Sequence, residues 1–507
     1  MKGIFNAALF LLVIASFAHA DQLADDLANY NAGLNSEINV SNAAFTASPQ
    51  SVLVNVMVRN PYQSPLSIYL LRQDSDGWKI VNLIGTLGPH SKNPIELEVE
   101  VHYDKLTKKN TRYVIAGRGE DGKIYGSSFE INEDWTAYEK EMRGSLSRSV
   151  VLVVPLIALV LIVILLAAVY LVNIKKRESD SEAYLAKSTE GGSGVAVAFE
   201  KKTAGEYIAG LMVNPVILFF EIAMVCVLIF VMFETVAQVF GPDDGLKIML
   251  LSAAGAFSIP FLYFICAWYL ERTEEGKPAK LFIAMFVWGM FSAFLSLLIS
   301  SSVISGISEF ALIPSIFIIT MLVAPVVEET VKGLGVLAIS GHKDFDDTLT
   351  GMLLGFTCGI GFAFIENWFY FSFKTNPFDM GLASWSGLII YRSFFNALAH
   401  GCFTATVAAI IGYAKSTENM KRFATLAFIP GLFIAIAIHM IYNLSALADN
   451  YMISERNVPF FMFNPMLIIL LASLLFLVLV FALIDEKKRK VAASENKNDG
   501  PRVAGEA

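Results

Sequence analysis

The stretch Pro325–Ile339, PVVEETVKGLGVLAI, decides what kind of fold this sequence makes. It sets Glu328, Glu329 and Lys332 close together inside a run otherwise apolar enough to cross a bilayer. On insertion scales a central acid or base costs a membrane helix roughly 2.5–3.5 kcal/mol, so such groups turn toward a bundle interior. A bundle of membrane spans follows, with the partners of these three groups expected on other spans.

Composition agrees. The 507 residues are 55% hydrophobic, with a mean hydropathy of +0.56, far too apolar for an ordinary soluble protein. The net charge of −8 is modest and spread over the polar segments, which gives a nucleic-acid partner no support. The N-terminus, MKGIFNAALFLLVIASFAHA, has a basic residue, a short apolar run and Ala18-His19-Ala20, so residues 1–20 are expected to be a signal peptide cut before Asp21. A retained first anchor is the alternative, against which the shortness of the run counts. Cys226, Cys266, Cys358 and Cys402 all fall in expected spans, so no disulfide framework or Cys-x-x-Cys metal site is indicated.

Residues 21–148 read as an exported β-rich domain, an immunoglobulin-like sandwich being the expectation. Ser51–Val58, Leu66–Leu71, Ile95–Val101 and Arg112–Gly117 alternate as strands, separated by turn signals such as Asp76-Gly77 and Asp121-Gly122. No catalytic cluster is visible there, and His90 and His102 read as surface residues. Residues 149–173 form a first span, stopped by Lys175-Lys176-Arg177, and 174–214 a cytoplasmic linker with a flexible Gly191-Gly192-Ser193-Gly194 patch. Apolar runs through 215–485 bring the expected total to about nine spans, and 486–507 is a cytoplasmic tail. Every alternate loop is rich in Lys and Arg, which puts the N-terminal domain outside the plasma membrane and the tail inside.

Polar residues then gather on four consecutive spans. Glu328, Glu329 and Lys332 occupy the first; Phe362, Glu366 and Asn367 the second; Arg392, Asn396, His400 and Thr404 the third; His439 and Asn443 the fourth. Glu328 and Lys332, four apart, share one side of a helix, and Arg392–Asn396–His400–Thr404 repeats at four as a stripe. Gly351, Gly355 and Gly359 make a small-residue seam that lets another backbone approach and turns Glu366 inward. In lipid, five ionisable groups would cost on the order of 10–17 kcal/mol, so they should converge. Each also has a plainer reading: Glu329–Lys332 as an ion pair between helices, a lone histidine as a structural hydrogen-bonder, Arg392 as a neutralising or snorkelling cation, and Cys402 as packing. Glu366 falls nearer the outer end of its span than Glu328 and His400 do, which counts against a direct role.

The set suits water activation. A carboxylate beside neutral imidazoles can act as general base, and His or Asn donors can stabilise an oxyanion. Two His and a Glu are also the ligand types of a catalytic zinc, Glu328, His400 and His439 being the set, so metal-bound and metal-free activation both stay open. No His-Glu-x-x-His or Gly-x-Gly-Asp occurs, and the formal Gly-x-Ser-Gly match at Gly191–Gly194 lies in the linker. An ion- or proton-coupled transporter is the rival reading, weakened by the lack of an inverted repeat. A catalytically silent scaffold presenting the exported domain is the third.

Glu328-Glu329-x-x-Lys332, Phe362-x-x-x-Glu366-Asn367, His400 in AHGCFT and His439-x-x-x-Asn443 resemble, in order, the four motifs of the PrsW intramembrane proteases, relatives of the CAAX prenyl endopeptidases. The resemblance runs from about Pro215 to Asp485 and leaves the exported domain unexplained. It implies an endopeptidase cutting membrane-anchored proteins, with site-1 cleavage of anti-sigma factors as the family precedent. It further implies that Glu328 activates water with Glu329 and Lys332 in support, that His400 and His439 bind water or metal, and that Asn443 polarises the carbonyl. Glu366, Asn367, Arg392 and Asn396 are expected as further supporting residues. The CAAX branch has His where this chain has Glu366, so that role does not carry over. The bilayer and an anchored substrate are the expected partners, the exported domain binding substrate or another extracytoplasmic protein.

Overall fold

The computed structural model describes residues 31–32, 37–40, 45, 48–60, 63, 65–74, 77–103, 108–118, 124–187, 203–274, 278–307, 319–454 and 463–498. The signal-peptide, Gly191–Gly194 and tail-end expectations fall largely or wholly outside them. The described chain divides into two compact units, one of which takes residues up to Ser145 together with Asn376–Ser384.

That first unit holds eight strands: β1 (Asn31–Ala32), β2 (Glu37–Val40), β3 (Gln50–Arg59), β4 (Leu66–Asp74), β5 (Gly77–Leu87), β6 (Lys92–Val101), β7 (Lys108–Arg118) and β8 (Ile124–Asp134). They form a five-stranded sheet, β1-β8-β7-β4-β5, and a three-stranded sheet, β2-β3-β6. All neighbours are antiparallel except the short parallel pair β1–β8. Val52, Val54, Val56 and Val58 are buried while their neighbours on β3 are exposed or half-buried, the period-two burial that the sequence displays. β1, β2, β5 and β8 are additional to the four strands read from sequence. β5 is a sheet edge whose Val81 and Leu83 stay exposed, and β8 alternates Phe129 and Ile131 with polar residues. Buried Glu133 ends β8, accepting from Thr111 Oγ1 and, at 2.9 Å, from Trp135 Nε1.

Asp134 Oδ1 then caps α1 (Thr136–Lys187), accepting from the Thr136 amide at 3.1 Å and its hydroxyl at 2.6 Å. The expected first span is thus the middle of one continuous helix that begins well before the apolar run. The short helix α8 (Pro377–Met380) lies within Asn376–Ser384 and belongs to this same unit. Tyr138 donates to Phe378 O at 2.8 Å, and Ser48 Oγ to Asp379 O at 2.9 Å.

The second unit is helical: α2 (Ala204–Met212), α3 (Pro215–Phe240), α4 (Pro242–Glu274), α5 (Ala279–Ile307), α6 (Ala324–Ile339), α7 (Thr348–Phe369), α9 (Leu382–Ser416), α10 (Phe428–Ser454) and α11 (Phe463–Asn498), with most of α1. Among the described residues eight helices are long and apolar enough to cross a membrane: α1, α3, α4, α5, α7 with its π-turn extension to Lys374, α9, α10 and α11. The remaining expected span, 312–340, is described from Ile319, as a π-turn leading into α6. This is a multi-span helical membrane protein with an N-terminal β region. α7 is its centre: 83% of its apolar window is buried, against none of that of α1. The glycine seam explains how closely α7 is held. A Cβ on Gly351 or Gly355 would lie 2.6 Å from the carbonyl oxygens of Ala408 and Thr404 on α9, and one on Gly359 would collide with that of His400.

Candidate functional site

Four helices bring the expected residues together. α6 carries Glu328, Glu329 and Lys332, and Trp288 of α5 pins this turn by donating Nε1–H to Val331 O at 3.2 Å. Glu329 and Lys332 are wholly buried and form an ion pair of 2.5 Å. This is the Glu329–Lys332 pair named from the sequence, made three residues apart within one helix turn. Lys332 Nζ also lies 3.0 Å from His400 Nδ1 and 4.3 Å over the Phe362 ring, which gives that motif phenylalanine a cation–π role.

The hydrogen bonds assign the imidazole protons. An ammonium can only donate, so His400 Nδ1 accepts, leaving Nε2–H to donate to Glu366 Oε2 at 2.9 Å. His439 Nδ1 lies 2.9 Å from Glu329 Oε1 and donates to it, so the lone pair of Nε2 faces Glu328 Oε2, 3.9 Å away. The two rings stand nearly perpendicular with centroids 5.1 Å apart, and Phe403 stacks on His439 at 4.8 Å.

Glu366 faces inward and Arg392 neutralises it, one of the two roles expected of that cation. Depth along the span separated Glu366 from the site, yet its Oε2 meets His400 directly because α7 and α9 are in near backbone contact. Arg392 does not snorkel. It donates to Glu366 Oε1 and to Asn367 Oδ1, both at 3.2 Å, and stacks 3.8 Å over Tyr370. Asn396 Nδ2 completes the grip, 2.8 Å from Glu366 Oε2 and 3.0 Å from Asn367 Oδ1. Thr404 leaves the stripe, its hydroxyl bonding back to His400 O at 3.3 Å. Asn443 sits one turn beyond His439 and is half-buried. Tyr442, its neighbour, escaped sequence reading although its hydroxyl donates to Asn396 Oδ1 at 2.8 Å. Its closeness to the His439 motif was the available signal.

Glu328, His400 and His439 each offer one donor atom, and those atoms lie within 4.8 Å of one another. Glu328 Oε2 is buried without a hydrogen-bond partner. Donor types and the orphaned oxygen both fit a zinc-like divalent cation. His400 would join such a site by passing its Nε2 proton to Glu366, its hydrogen-bond partner, which frees that nitrogen's lone pair. Glu329 on His439 Nδ1 is the orienting partner that metal-binding histidines usually have.

Comparison with known proteins agrees. Residues 277–482 match the family described as PrsW family intramembrane metalloprotease, beginning well after the Pro215 that the motifs suggested. The chain is 27% identical over 196 residues to the protein named Protease PrsW from Oceanobacillus iheyensis, which covers 38% of this chain and 82% of that protein. A solution structure of a late embryogenesis abundant (LEA) protein aligns over 25% of this chain and 87% of its own at 18% identity, but its TM-score of 0.15 carries no argument. The two sequence matches make residues 277–482, the stretch that carries all four motifs, similar to the PrsW family of intramembrane proteases.

Proposed function

We propose that this protein is an intramembrane endopeptidase that hydrolyses peptide bonds of membrane-anchored proteins, with Glu328, Glu329, His400, His439 and Asn443 as its working residues. The convergence of Glu328, His400 and His439 carries the reading. Glu328, with the His439 Nε2 lone pair beside it, takes a proton from water as the oxygen attacks the scissile carbonyl carbon. The carbon–nitrogen bond then breaks and that proton leaves on the new amine. The Asn443 amide is the donor for the developing oxyanion, and His400, its Nε2–H held by Glu366, orders the water beside it. Glu329 keeps the His439 lone pair aimed, and Lys332, donating to the Nδ1 lone pair of His400, fixes that ring while offsetting the charge of Glu329. A divalent cation of zinc type would be held by Glu328, His400 and His439, and would supply carbonyl polarisation and a more acidic water.

The β-rich unit is read as extracytoplasmic and the tail as cytoplasmic, following the Lys and Arg bias of the loops. A single-span regulatory protein of the anti-sigma type, cut on the exported side, is the substrate class proposed, the β unit contributing to its capture. Comparing membrane proteomes of cells that carry wild type or Glu328→Gln tests this. One membrane protein should accumulate uncleaved with the variant, and its continued processing would sink the assignment.

A further inference from the structure

Tyr442 reaches the site from α10 although none of the sequence motifs includes it. Its ring is buried, 5.6 Å from Phe403 and 6.2 Å from His439, and its hydroxyl donates to Asn396 Oδ1 at 2.8 Å. The other end of that amide is already committed, since Asn396 Nδ2 donates to Glu366 Oε2 at 2.8 Å and to Asn367 Oδ1 at 3.0 Å. Glu366 Oε2 in turn accepts from His400 Nε2 at 2.9 Å. One carboxylate oxygen thus serves both Asn396 and His400, and the amide gripping it is held at its far end by Tyr442.

We propose that Tyr442 is a positioning residue of the hydrolytic site: through Asn396 it fixes Glu366, and through Glu366 the Nε2–H direction of His400. This rests on the peptidase reading above. The tyrosine comes from a well-fixed turn, because its own carbonyl accepts from Asn464 Nδ2 at 3.1 Å and from Ser445 Oγ at 2.7 Å. The hydroxyl is the discriminating group. A phenylalanine would fill the same space beside Phe403 but would leave Asn396 Oδ1 a buried acceptor without its donor. The terminal torsion of an asparagine is broad, so an amide held at one end can turn and take Glu366 with it.

The test uses the full-length protein in proteoliposomes and, as substrate, the membrane protein that accumulates uncleaved in Glu328→Gln cells. Tyr442→Phe should lower kcat about five- to tenfold, the loss expected for one buried hydrogen bond, with KM and melting temperature unchanged. Asn396→Ala should lower kcat in the same way, and adding Tyr442→Phe to it should cost nothing more, because the tyrosine acts through that amide. Wild-type kcat in Tyr442→Phe, or a loss that adds in full to that of Asn396→Ala, overturns the inference and leaves the peptidase reading standing. If Tyr442→Phe melts earlier, the double-variant comparison still decides. Should no protein accumulate in Glu328→Gln cells, the peptidase reading itself fails and takes this inference with it.

Discussion

Replacing Gly355 by alanine adds one methyl group at a place where the structure has no room for it. The new Cβ would stand 2.6 Å from Thr404 O and 2.5 Å from the Ala408 Cβ, and the first of these is backbone that cannot rotate away. Restoring an ordinary 3.4 Å contact requires α7 and α9 to separate by about 0.8 Å there. Carried along the helices to the Glu366–His400 pair, that separation stretches a 2.9 Å hydrogen bond to about 3.7 Å, past the useful limit. Overpacking of this kind costs about 1–3 kcal/mol of stability, and a displacement near 1 Å at a reacting group can cost on the order of 10²-fold in rate. Thermal unfolding in detergent and cleavage of the accumulated substrate in proteoliposomes measure the two effects. Gly210→Ala on α2 is the control: its Cβ meets nothing within 4 Å, so it should leave both unchanged. If Gly355→Ala melts and cleaves like wild type, the close approach of α7 and α9 does not set the site geometry.

Other outcomes follow from single contacts. Lys332→Met strands Glu329 as a buried, uncompensated charge and should cost about 3–5 kcal/mol, whereas adding Glu329→Gln should recover much of the loss in a thermal melt. Zinc content of the purified protein, read by mass spectrometry, should fall on His439→Ala if the Glu–His–His set holds a cation, while Arg392→Ala leaves it unchanged. Asp134 is held down to about 2 by the Thr136 hydroxyl and amide with Lys108 nearby, so its contribution is complete above the ordinary carboxylate pKa and lost as pH falls through about 2. An NMR titration of Asp134 checks this, and a midpoint near 4 would refute the cap.

The spans and the convergence of their charges were legible because lipid leaves a polar side chain so few alternatives. Glu328, His400 and His439 could be picked out as one set for that reason. The Glu329–Lys332 pair was legible too, although as a pair between helices, whereas it closes within one turn of α6. The contact of Glu366 with His400 was not legible, because depth read from sequence assumes similar packing distances between helices, and a glycine seam shortens them. β5 carried little alternation because an edge strand buries so little of itself. Tyr442 was hidden by being aromatic, a residue type that an apolar span accommodates without comment.

The contacts of Asn376–Ser384 have a consequence for counting. This segment joins α7 to α9, and it shares one compact unit with the β strands that precede α1. Its chain therefore leaves and returns to the same side of the bilayer between β8 and Asn376, which requires an even number of crossings. Five of the eight apolar helices lie in that interval: α1, α3, α4, α5 and α7. Five is odd, so the stretch between α5 and α7 must carry the chain across once more, and among its described residues α6 is the long helix. By parity alone, the glutamate pair sits on a crossing segment, in a helix that length and hydropathy by themselves left uncounted.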